Sequence, residues 1–245
     1  MQFHLPLSAL QKILVQIYFN EIKNMLIKRP QIMVINPNSN NNVTDAMAKE
    51  LKSFNFSDGP EIICMSLPQG PFGIESDADV ESVKLPLRNI VSKRIDMDAF
   101  VIACYSDPGL QLCREATDRP VFGIQECGVL VAMTQGNRFG VIALQENSIR
   151  RHLIYLKQMG VIGRFAKEHA ANLSVEECAT GIKTFEKLFS VAQQLRDEDH
   201  ADTIILGCAG MASHQSRLES KIGIPVIDPV KAAASMAMHT VISKN

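Results

Sequence analysis

Short apolar, β-rich runs alternate with helical patterns along most of this 245-residue chain, and that alternation constrains the fold more than any single motif. IMVIN at 32–36 leads through polar NPNSNNN into TDAMAKELKSF, a helix for which Thr44 is the expected N-cap. EIICMSL at 61–67 is followed by the Gly/Pro turn QGPFGIES and a helix over 77–93. AFVIAC at 99–104 precedes a helix near LQLCREAT, and PVFGI at 120–124 precedes ECGVLVAMTQG. Strand and helix in strict alternation predict a parallel sheet covered by helices on both faces.

The plan then repeats. FGVIAL at 139–144 opens the second half, followed by a helix through IRRHLIYLKQMG and a weaker segment at 161–173. A long helix over 175–197, TIILGC, PVIDP and a terminal helix complete it. Asp98 and Cys104 recur as Asp202 and Cys208 at a shift of 104, Pro120-Val121 as Pro225-Val226 at 105, and MVIN at 33–36 as GVIA at 140–143 at 107. This agreement in order and spacing predicts an α/β protein of two pseudo-symmetric lobes with a site in the cleft between them. The expected division is 1–30 as an appended helix, 31–135 with the C-terminal helix as the first lobe, and 136–230 as the second.

Charge and composition exclude several functions. Twenty-five Lys and Arg against 26 Asp and Glu leave a net charge of −1, with no footprint for nucleic acid or an acidic membrane. Arg150-Arg151 reads as an ordinary solvated helix face. His152, His169, His200, His214 and His239 show no metal-ligand spacing, and read as surface or satisfied residues. The chain has neither a Walker loop nor a dinucleotide fingerprint, so no metal or organic cofactor is expected. The first thirty residues lack an early positive charge, carry Gln11, Lys12 and Gln16 inside the apolar stretch, and show no small-x-small cleavage site, unlike a secretory signal. They are also too short and too polar to span a bilayer. Leu10, Ile13, Leu14, Ile17 and residues 19–22 fit an amphipathic helix that packs on the body or on a second subunit of a homo-oligomer. A translation start at Met25 is the alternative. Six Cys without C-x-x-C pairs read as reduced thiols of a cytoplasmic protein.

Two of those thiols stand out. In open parallel α/β sheets, ligands sit at the carboxyl ends of strands, where loops supply backbone N–H groups. Cys104 and Cys208 both fall there, one in each half. Two thiols facing across a cleft can invert a carbon without a cofactor: one takes a proton from one face while the other returns a proton to the opposite face. Hydrogen-bond donors must then meet the developing enolate. Ala209, Gly210 and Met211 offer a free loop backbone for this, and Tyr105 and Ser106 offer hydroxyls. Cys64, Cys113, Cys127 and Cys178 lie inside strand or helix patterns and read as structural.

The same residues carry a resemblance. INPNS at 35–39, GP-x-x-IES at 70–76, VIAC-x-x-DPGL at 101–110 with Arg114-Glu115, PVFGI-x-E at 120–126, LGCAGM at 206–211 and GIPVID at 223–228 occur in one order. Over about 31–240, the chain resembles the hydantoin and allantoin racemases of the aspartate/glutamate racemase superfamily. The resemblance implies a cofactor-independent, two-cysteine isomerase with Cys104 and Cys208 as its catalytic pair. It also places the loop carrying Asn36 and Ser39 beside a small-molecule substrate, with the backbone of Gly123 and Ile124 close to it. Asn36 could bond a polar substrate edge or serve the turn alone. Glu126 reads as a first-turn residue of its helix, and Glu75 with Ser76 as a helix-start cap.

Two departures concern the substrate. Ala143-Leu144-Gln145 stands where relatives commonly carry hydroxyl residues, and Cys127 follows Glu126 where small residues are common. No Arg or Lys lies in the matched strand-end loops, which favours a neutral cyclic ureide over free aspartate or glutamate. The alternatives are an amino-acid racemase, a decarboxylase or a maleate-type cis–trans isomerase on the same scaffold, or a non-catalytic two-lobe binding protein.

Overall fold

Eight strands and nine labelled helices follow one another in the computed structural model, which describes residues 29–180 and 184–244 together with 11, 12, 14–16 and 18. The first half runs β1 (Gln31–Asn36), α1 (Asn41–Glu50), β2 (Glu61–Ser66), α2 (Asp77–Lys93), β3 (Ala99–Ile102), α3 (Leu110–Glu115), β4 (Val121–Gly123) and α4 (Ile124–Gln135). The second runs β5 (Phe139–Ala143), α5 (Glu146–Gln158), β6 (Phe165–Ala170), α6 (Val175–Thr180), α7 (Thr184–Asp197), β7 (Thr203–Gly207), α8 (Gln215–Ile222), β8 (Val226–Ile227) and α9 (Pro229–Ile242).

The strands form two four-stranded sheets, β2-β1-β3-β4 and β6-β5-β7-β8, and every pairing is parallel. The two orders are the same when counted within each half, so the repeat read from the sequence is a repeat of topology. β3 and β7 occupy equivalent third places, which puts Cys104 and Cys208 at equivalent strand ends.

Period-two alternation sorts the first sheet's side chains. Ile32, Val34 and Val101 join one apolar cluster with Val43 and Met47 of α1, whereas Met33, Ile35, Phe100 and Ile102 join another with Val80, Val83, Leu87 and Val91 of α2. The first cluster continues without a break through Ile124 and Val129 into Val141 and Ile205 of the second sheet, and takes in Ala233 and Ala237 of α9. Each buried Val, Ile or Leu is worth about 1.5–3 kcal/mol. The halves are therefore joined by shared core, and the strand ends facing the cleft are fixed relative to one another.

One local expectation needs correction. Asn40, not Thr44, caps α1, its side chain accepting from the N–H of Asn42; Thr44 lies within the helix and is buried. The weaker segment contains a true strand, β6. Of the helix expected over 175–197, α6 and α7 are helical as read, and residues 181–183 between them lie outside the described residues. At the N-terminus, residues 11, 12, 14–16 and 18 are helical, with Leu14, Val15 and Tyr18 exposed; Leu10, Ile13, Ile17 and residues 19–22, on which the packing expectation rests, lie outside the described residues. Among the described residues, no helix is long and apolar enough to cross a membrane.

Candidate active site

A cavity opens at the carboxyl ends of β1, β3, β5 and β7, and both Cys104 and Cys208 line it. They share its wall with Asn36, Glu75, Ser106, Arg151 and His152, among others. All six Cys are free thiols; Cys104, Cys208 and Cys64 keep partial exposure, whereas Cys113, Cys127 and Cys178 are buried. Of the three partly exposed thiols, two therefore face the cavity.

The two strand ends hold their thiols in the same way. Each sulfur accepts a hydrogen bond from the backbone N–H two residues further on, Ser106 for Cys104 and Gly210 for Cys208. Their surroundings then diverge. Burial pushes Cys104 up to about 12, and the Ser106 N–H and the nearby Arg151 only partly oppose it. Cys208 is instead held below the usual thiol range, chiefly by a hydrogen bond from the Cys178 thiol, which with the smaller help of the Gly210 N–H outweighs its burial. Cys178 is raised by the same contact, so the shared proton stays on the buried Cys178. Of the two, Cys208 is thus biased towards the thiolate and Cys104 towards the thiol.

The β1 loop is locked from within. The amide nitrogen of the fully buried Asn36 donates to Asn38 Oδ1 at 2.8 Å, Thr44 Oγ1 at 3.0 Å and the Asn40 carbonyl at 3.3 Å. Asn36 Oδ1 accepts from the Asn38 N–H at 3.3 Å. Asn36 therefore faces the cavity with its polar atoms already engaged in holding the turn.

The loop after β3 is set by Asp107, whose backbone takes a left-handed φ of 42°. Its carboxylate accepts the N–H groups of Gln125 and Glu126, both at 2.9 Å, and so closes the N-terminus of α4. Gly123 is required by the same contact, since a Cβ there would lie 2.3 Å from the Asp107 carboxyl carbon. Glu126 pairs with Arg114, consistent with a first-turn position.

Of the residues expected near substrate, Asn36, Tyr105, Ser106 and Ala209 line the cavity with the two thiols. Ser39, Gly123, Ile124, Gly210 and Met211 are not part of that lining. Ser39 bonds the Pro71 carbonyl, and Gly210 reaches the site through its N–H on Cys208.

Three cavity residues escaped the sequence reading. Arg151 is not on a solvated face: its side chain is 18% exposed, and its Nε donates to Ser106 Oγ at 3.1 Å. His152 is buried, with Nδ1 at 2.6 Å from Glu168 Oε1 and Nε2 at 3.3 Å from Ser106 Oγ. Glu75 belongs to the cavity wall, while Ser76 and Asp79 alone form the capping box of α2. Glu75 Oε1 accepts the N–H of Val175 at 2.9 Å, and its carbonyl accepts from Asn147 Nδ2 at 2.8 Å, tying the two halves across the cleft. Polar residues in the buried stripe of α5, Ser148 and His152 spaced with Leu156, were the available signal. Among the described residues, no group of three or more His, Cys, Asp or Glu is arranged to hold a metal ion.

Comparison with known proteins identifies the arrangement. Residues 32–237 match the family model for Asp/Glu/hydantoin racemases. The chain belongs to this family. It is 34% identical over 215 residues to a hydantoin racemase of Paenarthrobacter aurescens, covering 84% of this chain and 89% of the relative. It is 36% identical over 210 residues to a hydantoin racemase of Rhizobium meliloti, covering 84% and 86%. The structure of allantoin racemase from Klebsiella pneumoniae superposes with a TM-score of 0.82 at 28% identity, covering 88% of each chain. Two parallel sheets around a central cleft are thus the racemase architecture, and the strand ends bearing Cys104 and Cys208 form its cleft.

Proposed function

We propose that the protein is a cofactor-independent racemase that inverts the stereocentre of a small cyclic ureide, a 5-substituted hydantoin or allantoin, by proton transfer between Cys104 and Cys208. The observation that carries this reading is the presence of both thiols in one cavity with opposite acid–base bias. The resemblance to hydantoin and allantoin racemases supplies the substrate class.

In the proposed step, the Cys208 thiolate takes the proton from the ring carbon, and the C–H electron pair moves into the adjacent carbonyl as an enolate. The Cys104 thiol then delivers its proton to the opposite face, and its sulfur keeps the S–H electron pair. Afterwards Cys208 is a thiol and Cys104 a thiolate. Burial makes that state the higher in energy, which drives proton return through solvent or through turnover of the opposite enantiomer. A reducing compartment suits this chemistry, because both sulfurs must stay reduced.

Circular dichroism of an enantiopure 5-substituted hydantoin tests the reading. Mixed with the protein, the signal should decay to zero while the compound remains intact by chromatography. Loss of the compound would indicate a decarboxylase or another reaction, and an unchanged signal would indicate a binding protein.

A further inference from the structure

Among the described residues, Arg151 is the one Lys or Arg in the cavity lining, and it comes from the first half of α5, outside the strand-end loops. It is held rather than free. Nε is anchored on Ser106 Oγ at 3.1 Å, and Nη1 meets Asp77, whose side chain is 74% exposed. A guanidinium carries five N–H donors in a fixed plane. These two bonds use two of them, and among the described residues no acceptor meets Nη2.

The neighbouring carboxylates are committed elsewhere. Glu75 accepts the Val175 N–H, Asp79 accepts the N–H groups of Glu75 and Ser76 within its cap, and Glu168 is buried against His152. The exposed Asp77 pairs with the cation from the solvent side, and the Asp79 carboxylate, held in its cap, lies within the cation's field. The inner side of the guanidinium, next to Ser106 and Cys104, therefore offers donors to whatever enters the cavity. An anionic oxygen satisfies them better than a neutral one, since charge-assisted bonds to Arg are shorter and stronger.

We propose that Arg151 is a specificity-determining residue, and that the site prefers cyclic ureides whose ring substituent carries a carboxylate or a similar oxyanion. This rests on the racemase reading and refines its substrate class. The neutral ring lies between the two thiols, and the charged end of the substituent sits on Arg151, beside Cys104.

The test compares two ligands that differ in charge and hardly in shape, racemic hydantoin-5-acetic acid and its primary amide. Binding is measured at pH 7 by calorimetry on the wild-type protein, Arg151→Gln and Arg151→Lys. A racemic mixture undergoes no net racemisation and so contributes no reaction heat. The acid should bind wild-type protein roughly tenfold or more tightly than the amide. That ratio should collapse towards one in Arg151→Gln, return in part in Arg151→Lys, and shrink as salt is raised. Equal affinity for acid and amide in the wild type, or an Arg151→Gln effect that weakens both alike, overturns the inference. Deuterium exchange at the ring carbon in D2O separates the two levels: exchange without charge preference removes this inference alone, whereas charge preference without exchange leaves Arg151 as an anion subsite and removes the racemase reading.

Discussion

The Cys178 thiol donates a hydrogen bond to the sulfur of Cys208, joining a buried residue of α6 to the strand end of β7. This contact, more than the strand-end position, distinguishes Cys208 from Cys104. Cys208 is held below the ordinary thiol value of 9.0 and Cys104 is raised to about 12. The form with Cys208 ionised and Cys104 protonated should therefore dominate between those two titrations. The acid limb of the kcat/KM profile follows the first ionisation and the alkaline limb the second. Replacing Cys178 with Ala removes the donor, so the acid limb should move up in pH while the alkaline limb stays. Alkylation by iodoacetamide at pH 7.5, located by peptide mass spectrometry, should strike Cys208 ahead of Cys104 in the wild type and slow at Cys208 in Cys178→Ala.

Glu75 links the halves through two bonds at the cavity wall, its carboxylate to the Val175 N–H and its carbonyl to Asn147. Glu75→Gln keeps an acceptor oxygen, whereas Glu75→Ala leaves the Val175 N–H without one. The alanine variant should lose about 1–2 kcal/mol of stability in urea unfolding. Its KM should rise more than its kcat falls, because the cleft wall loosens while both thiols remain. The glutamine variant should lie between it and the wild type.

Asp107 holds the N-terminus of α4 while sitting at positive φ. Asp107→Ala removes both acceptor bonds and places an unfavourable side chain at that φ, so a loss of about 1–3 kcal/mol is expected. Burial raises the Asp107 carboxyl from 3.8 to about 7, against the opposing pull of the two N–H groups. Between those values, the folded chain keeps a proton that the unfolded chain has released. Its contribution to stability is therefore whole below pH about 4 and lost as the pH rises through 7. A urea series across that range should show this decline in the wild type, and a flatter profile in Asp107→Asn, which has no proton to lose there.

The sequence carried the fold because its signals were local and repeated. Apolar runs such as AFVIAC and TIILGC ended in polar loops, and the matched spacing of Asp98–Cys104 and Asp202–Cys208 marked equivalent strands. Both cysteines could be placed at a common site for that reason. Arg151 and His152 could not, because consecutive basic residues on an amphipathic helix look solvated until packing turns them toward Ser106 and Glu168. Cys178 was legible only as a buried thiol, since its partner lies thirty positions away and only the placement of α6 beside the β7 end brings them together. Thr44 failed as a cap for a local reason: Asn40 already satisfies the first turn, and the Thr44 hydroxyl is used by Asn36 and Ser66.

Solvent isotope exchange with each pure enantiomer in D2O, followed by proton NMR of the ring carbon in the wild type, Cys104→Ser and Cys208→Ser, tests the two-thiol account most directly. The wild type should exchange both enantiomers and interconvert them. Each single variant should lose interconversion, and the two should differ in which enantiomer still exchanges, since each retains the thiol on one face only. Continued racemisation at near wild-type rate in either variant would contradict the account.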